Sequence, residues 1–147
     1  MTGRYLGSLA GLCVSLMLWG CSSMNDVIAG KADGTVALYP VTQDQAWEIA
    51  LAVFHWGGCE TIEEHRAEGY MLTSTGGNFV TSGSLMGAWI EPDGNSEVKV
   101  TVVSKRRVAA SIASGLSESS FHKRFAQAVD IIKSGAKLPL QPPPPVE

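Results

Sequence analysis

The chain has 147 residues, with 11 basic and 14 acidic side chains and a formal net charge of −3. This mild acidity excludes the strongly basic surface that non-specific nucleic-acid binding requires, so no nucleic-acid partner is expected. Hydrophobic residues make up 45% of the chain, which suits one folded domain at this length. The cysteines are Cys13, Cys21 and Cys59.

The N-terminal segment has the parts of a secretory signal. A short start containing Arg4 precedes an apolar run, Tyr5 to Leu18, which lacks Asp, Glu, Lys and Arg. The run is too short for a transmembrane helix, which needs roughly 20 apolar residues, but it has the length of a signal-peptide core. Leu18-Trp19-Gly20-Cys21 then resembles the lipobox of bacterial lipoproteins, in which a branched apolar residue and a small residue precede the cysteine.

The resemblance implies a signal peptide of residues 1–20, cleavage between Gly20 and Cys21, and lipid attached to Cys21. We therefore expect a protein anchored to a membrane through its N-terminal lipid, held by several acyl chains because one chain binds only marginally. In that family Asp after the cysteine marks inner-membrane retention, and Ser22 does not. This favours the outer membrane, on the side facing the periplasm. Cys59 is then left without a disulfide partner.

Composition divides the remaining chain into three parts. Residues 21–34 are polar and contain glycine, which predicts a lipidated N-terminus and flexible tether. Residues 35–135 form the expected single domain. Residues 136–147 are rich in proline, which favours extended polyproline II and cannot enter a sheet interior. We expect a disordered, solvated tail there; a polyproline ligand for a partner is the alternative.

Local patterns predict a strand at Thr35–Tyr39, then a helix that begins with a capping box formed by Thr42 and Gln45 and runs to about Trp56. Gly57-Gly58 is expected to end this helix. Further strands are expected at 59–64 and 70–74, within 79–91, and at 97–105. Pro92-Asp-Gly-Asn95 predicts the turn of a hairpin. A final amphipathic helix, capped by Ser117 or Ser119, extends to Gly135.

These elements predict an α+β fold in the order β-α-β-β-β-β-α. The expected architecture is a two-layer sandwich, with an antiparallel sheet of four to five strands and two helices on one face. The Trp47-bearing helix, the Gly57-Gly58 stop, a Gly-x-Trp strand and a Val-x-Val-x-Val strand resemble small uncharacterised periplasmic lipoproteins. These are similar in topology to the repeat domains of the outer-membrane assembly lipoprotein BamC. The resemblance covers residues 35–135 and implies an interaction domain without an active site.

One stretch contains side chains that bind metals. His55, Cys59 and His65 lie within eleven residues that also include carboxylates, and all these groups are zinc or copper ligands. The spacing matches no metal-binding motif, so we expect neither a metal nor another cofactor. No Gly-x-Ser-x-Gly motif is present, and we predict that the protein is not an enzyme. Lys105-Arg106-Arg107 is interpreted as a solvated strand end, with phosphate binding as the alternative.

The sequence therefore predicts a non-enzymatic interaction or assembly module, bound to an envelope protein through a sheet face or edge. An exposed strand without charges or proline would favour that function, and residues 79–86 are the candidate. The alternative is a small-ligand or lipid-binding module. That function requires an apolar cavity between the helices and the sheet, lined by Trp47, Phe54 and Trp89.

Overall fold

The computed structural model describes residues 23–59, 61–75, 83–94, 96–106 and 116–145. The helices are α1 (Met24–Ala29), α2 (Gln43–Trp56) and α3 (Glu118–Lys133), and a 3₁₀ turn, Gly30–Asp33, follows α1. The strands are β1 (Thr35–Tyr39), β2 (Thr61–His65), β3 (Tyr70–Thr75), β4 (Ser84–Asp93) and β5 (Glu97–Arg106). They form one antiparallel sheet in the order β1-β5-β4-β3-β2. The predicted α+β fold is confirmed.

Side chains next to each helix start fix where α2 and α3 begin. The Thr42 hydroxyl accepts the Gln45 amide at 3.2 Å, and the Gln45 side chain accepts the Thr42 amide at 3.0 Å. Ser117 accepts the Ser120 amide at 3.1 Å in the same way. These bonds satisfy amides that have no partner inside the helix. The predicted caps at Thr42 and Ser117 are therefore confirmed.

The main core lies between one face of the sheet and the helices α2 and α3, and we call this the inner face. On β5, Val98, Val100 and Val102 point to it and are buried, as their alternation predicts. Both helices contribute apolar stripes to the same core. The largest contributors from α2 and α3 are Trp47, Ile49, Phe54, Phe121 and Phe125.

Strand β4 extends further than predicted, because Pro92 and Asp93 continue it instead of forming the turn. The Ile90 amide donates to the Gly69 carbonyl at 2.9 Å, on the side of β3. The nitrogen of Pro92 faces the same side, because backbone directions alternate along a strand, but β3 has no residue beyond that point to pair with it. The missing amide hydrogen of Pro92 therefore costs no sheet hydrogen bond.

The predicted flexible tether differs from the structure. Met24–Ala29 forms α1, which packs on the outer face of the sheet, opposite α2 and α3. Val27 is 0% exposed and belongs to a second apolar cluster with Leu72, Leu85, Trp89 and Val103. Gly87 makes room for it, since a Cβ there would lie 2.8 Å from Val27 Cγ1. The outer face of the sheet is thus covered at its centre, and the two-layer description holds only for its inner side.

A charge cluster adds to the contact between the N-terminal segment and the sheet. Lys31, in the 3₁₀ turn, places its Nζ 2.7 Å from Glu91 Oε1 on β4, and Lys99 Nζ lies 3.1 Å from Glu91 Oε2. The hydrogen bond from Lys31 lowers the pKa of Glu91, with a smaller effect from Lys99. These side chains are about one-third or more exposed, so the cluster orients the segment more than it stabilises it.

The Pro-rich tail also departs from its prediction as a disordered segment. Leu138 packs against the main core, and the Trp56 indole donates to the Pro139 carbonyl at 3.0 Å. Further along, the Gln127 side chain donates to the Pro144 carbonyl at 2.8 Å. Proline lacks an amide hydrogen but keeps its carbonyl acceptor. The tail therefore lies along α3, where its backbone carbonyls accept hydrogen bonds from side chains of the domain. A pattern of hydrophobic residues does not predict such contacts.

Substitution of Val27 distinguishes a docked helix from a flexible tether. Val27→Ala should lower the free energy of unfolding by about 1–3 kcal/mol, because it removes buried methyl groups and leaves a cavity. Ile28→Ala is the matched control on the same helix, where the side chain is 39% exposed, and should change stability by less than about 0.5 kcal/mol. Urea unfolding of a soluble domain starting at Ser23 measures both. Equal, negligible effects would mean that α1 does not pack on the sheet.

Candidate functional site: the free edge of strand β1

The predicted processing site lies outside the described residues, because Gly20 and Cys21 precede Ser23. The structure therefore describes the chain from two residues beyond the predicted lipid attachment point. Within the described residues, no helix has both the length and the apolar character needed to cross a bilayer.

The structure does not bring His55, Cys59 and His65 together. His55 is exposed at the end of α2, whereas Cys59 is buried in the main core, where burial raises the pKa of its thiol. His65 stacks on Tyr70 with ring centroids 4.5 Å apart. Among the residues with a described position, no group of three or more His, Cys, Asp and Glu side chains could hold a metal ion.

The three aromatic residues predicted to line a ligand cavity do not share one. Trp47 and Phe54 lie in the main core, but Trp89 lies in the cluster on the outer face, so this prediction is wrong. Trp47 is buried by packing in the main core, and its indole N–H donates to Glu64 Oε2 at 2.6 Å. Two surface cavities are found elsewhere: about 390 Å³ beside the β4–β5 turn, and about 710 Å³ between α3 and the tail.

Two other predicted interaction segments are only partly described. Lys105 packs against the 3₁₀ turn at Gly30, while the Arg106 side chain and Arg107 lie outside the described residues. Within residues 79–86, positions 79–82 also lie outside them. Ser84–Met86 belongs to β4, which is paired with β3 on one side and β5 on the other. That part of 79–86 is not a free strand, so the prediction is wrong there.

Within the part of the chain that the structure describes, β1 and β2 are the edge strands of the sheet and have one strand neighbour each. Strand β2 carries Glu63, Glu64 and His65, and charged side chains on an edge discourage pairing with another chain. Strand β1 has the sequence Thr-Val-Ala-Leu-Tyr, without a charge or a proline. Of these two edges, β1 is therefore the one suited to accept a further strand.

The register identifies the backbone groups that β1 offers. The backbone amide and carbonyl of Ile90 point toward β3, so those of its partner Val100 point toward β1. The backbone groups of Ala37, opposite Val100, therefore point toward β5. Val36 and Leu38, which alternate with Ala37, therefore direct their amides and carbonyls away from the sheet. Their side chains point to the outer face and are 57% and 50% exposed. No hydrogen bond from another described residue reaches these outward backbone groups.

Helix α3 holds β1 from the inner side through a histidine. His122 Nδ1 lies 2.8 Å from the Tyr39 hydroxyl, and Nε2 lies 3.2 Å from the Thr35 carbonyl. A neutral imidazole with its proton on Nε2 satisfies both, accepting from Tyr39 and donating to Thr35. Burial lowers the pKa of His122, and burial raises the pKa of Tyr39 to about 12. Both groups are therefore neutral near pH 7.

A carboxylate at the start of α3 completes this attachment. Glu118 Oε1 accepts the Ser104 amide at 2.8 Å, and Oε2 accepts the Thr35 amide at 3.3 Å. Ser104 lies on β5 beyond the last residue paired with β1. The Glu118 carboxylate thus accepts the β5 amide that a further residue of β1 would otherwise pair with. It anchors the end of β1 while leaving Val36 and Leu38 open.

Sequence reasoning identified β1 as a strand but missed its position at the sheet edge. The uncharged pentapeptide between Gly34 and Pro40 was the available signal. The edge position of β1 depends on its pairing with β5, for example of Thr35 with Val102. Local sequence patterns do not encode pairing between residues so far apart in the chain.

No family model matches the chain, and no curated protein or solved structure is significantly similar to it.

The burial of His122 makes stability depend on pH. The pKa of His122 is lowered in the folded state from its ordinary value of 6.5. As the pH falls through 6.5, the unfolded chain therefore binds a proton at this residue more readily than the folded chain does. The free energy of unfolding should fall as pH drops from about 7 to 5, and His122→Gln should reduce this dependence. The control is His55→Gln, which alters an exposed residue. Urea unfolding at several pH values measures the slopes; equal slopes for both variants would contradict the assignment.

Proposed function

We propose that this chain is a membrane-anchored envelope lipoprotein that acts as a non-enzymatic interaction or assembly module on the periplasmic side. The lipobox-like Leu18-Trp19-Gly20-Cys21 supports the anchor, and the free edge of β1 supports the interaction. The edge is the observation that carries the proposal, because it offers uncharged backbone groups at Val36 and Leu38. The partner is an envelope protein that supplies an extended segment.

Strand addition at β1 fits the physics of this edge. A partner strand pairs with the outward amides and carbonyls, so affinity comes from main-chain hydrogen bonds. Glu118 and His122 keep β1 in place from the inner side, so the outward backbone groups are held in position. Lipid anchoring raises the effective concentration of such a site toward other proteins on the same membrane, so a weak interaction becomes sufficient.

Site-specific photo-crosslinking in the native envelope tests the interaction. A benzophenone amino acid at Thr35 should give reproducible protein adducts, identified by mass spectrometry. Thr61 is the matched control, since it is also an exposed threonine that opens an edge strand, but on the charged edge β2. Equal adducts from both positions, or none from Thr35, would count against binding at β1.

Two substitutions at one position separate the backbone edge from its side chain. Leu38→Pro should abolish the adducts from Thr35, because it removes an outward amide while leaving the β1–β5 hydrogen bonds intact. Leu38→Ser keeps the amide and should keep the adducts. Thermal unfolding of both variants shows that the domain is folded. Loss of adducts in both variants would instead assign recognition to the leucine side chain.

The anchor has its own test at Cys21. Cys21→Ser removes the thiol that would carry the lipid, so the variant should accumulate as an uncleaved precursor or a soluble form. Membrane fractionation, gel mobility and intact-protein mass measure this. A mature wild-type protein without lipid mass, or a variant with unchanged size and membrane association, would refute lipid attachment there.

A further inference from the structure

The distance between the lipid and the folded domain is short, because α1 replaces the flexible tether. Ser23 already caps α1 and is separated from Cys21 by one residue. Two Cα–Cα steps span at most about 7.6 Å. This is close to the thickness of the headgroup layer on one side of a bilayer, roughly 5–8 Å. A domain attached at Cys21 is therefore held against the membrane surface and cannot extend far from it.

The exposed apolar side chains are concentrated on the side of the domain that carries α1. Four large hydrophobic residues are exposed in the described part of the chain: Ile28, Val36, Leu38 and Leu140. Ile28 lies on α1, and Val36 and Leu38 point to the outer face of β1. Leu140 belongs to the tail, which lies along α3 on the other side.

From these two observations, and resting on the proposed lipid anchor, we propose that the α1-bearing outer side of the domain faces the bilayer. Ile28, Val36 and Leu38 contact the headgroup region, and α2, α3 and the tail face away from the membrane. The occupant of this surface is the lipid layer that holds the acyl chains of Cys21. Because the anchor makes the contact intramolecular, a small apolar surface is sufficient.

Among the described residues, the lysines on this side lie near carboxylates. Lys31 and Lys99 both bind Glu91, whose single negative charge offsets one of their two positive charges. Lys105 lies close enough to Asp26 to lower the pKa of that carboxyl slightly, after the larger effect of the Ser23 hydrogen bonds. The proposed contact is made by the uncharged side chains of Ile28, Val36 and Leu38, so it forms on zwitterionic lipid and persists at high salt.

The test uses the acylated mature protein in phosphatidylcholine vesicles. A benzophenone amino acid at Leu38 should form adducts with phospholipid at a several-fold higher yield than one at Glu48, an exposed position on α2. The yield at Leu38 should be unchanged by high salt. Equal lipid adducts at Leu38 and Glu48, or adducts that disappear in high salt, would overturn the proposed apolar orientation.

Hydrogen–deuterium exchange tests the same orientation without the benzophenone amino acid. Amides of residues 24–38 should exchange with deuterium several-fold more slowly in the vesicle-bound acylated protein than in the unacylated domain mixed with the same vesicles, while the exposed side of α2 is unchanged. No difference in residues 24–38 would overturn the proposal. Intact mass separates the two levels of inference. Absence of lipid on Cys21 refutes the proposed anchor, whereas an acylated protein without these signals refutes only the orientation.

Discussion

Burial of both faces of the neighbouring inner strands β4 and β5 is the constraint on which the rest of this structure depends. On the inner face, Val98, Val100 and Val102 meet the helices α2 and α3. On the outer face, Leu85 and Trp89 meet Val27 of α1. A sheet covered on one side would leave these outer residues in water, which is unfavourable for apolar surface of this size. The N-terminal segment is thus a structural part of the domain.

The same arrangement determines which surfaces remain available for binding. The centre of the sheet is covered, so contacts with other molecules fall to its margins. One margin, β2, carries charged side chains, and the other, β1, is held from within by His122 and Glu118. The backbone edge and the outer side chains of β1 point in perpendicular directions. A protein strand and a lipid surface can therefore be contacted from one short strand without competing for the same atoms.

The sequence predicted the elements whose signals are local. The Thr42–Gln45 box, the Ser117 cap and the valine alternation in β5 all lie within a few residues, and the structure contains them. The helix α1 escaped prediction because it has six residues and one fully buried side chain, Val27. Its stability comes from residues distant in the chain, as does the edge position of β1. The spacing of His55, Cys59 and His65 matched no metal-binding motif, and the structure places them apart in character: Cys59 is buried in the core, His55 is exposed and His65 stacks on Tyr70.

With the proposed lipid on Cys21, the docking of α1 would also order events during the maturation of the protein. A helix of six residues is not stable by itself in water, and its contacts on the outer face come from β3, β4 and β5. In a chain exported from its N-terminus, residues near position 21 emerge well before those strands can assemble. On the proposed pathway, modifying enzymes would act on the predicted cleavage and lipid-attachment site at that stage. Folding of the sheet afterwards would draw α1 onto Gly87 and bring the domain close to the proposed lipid, so that the proposed modification precedes the compact state.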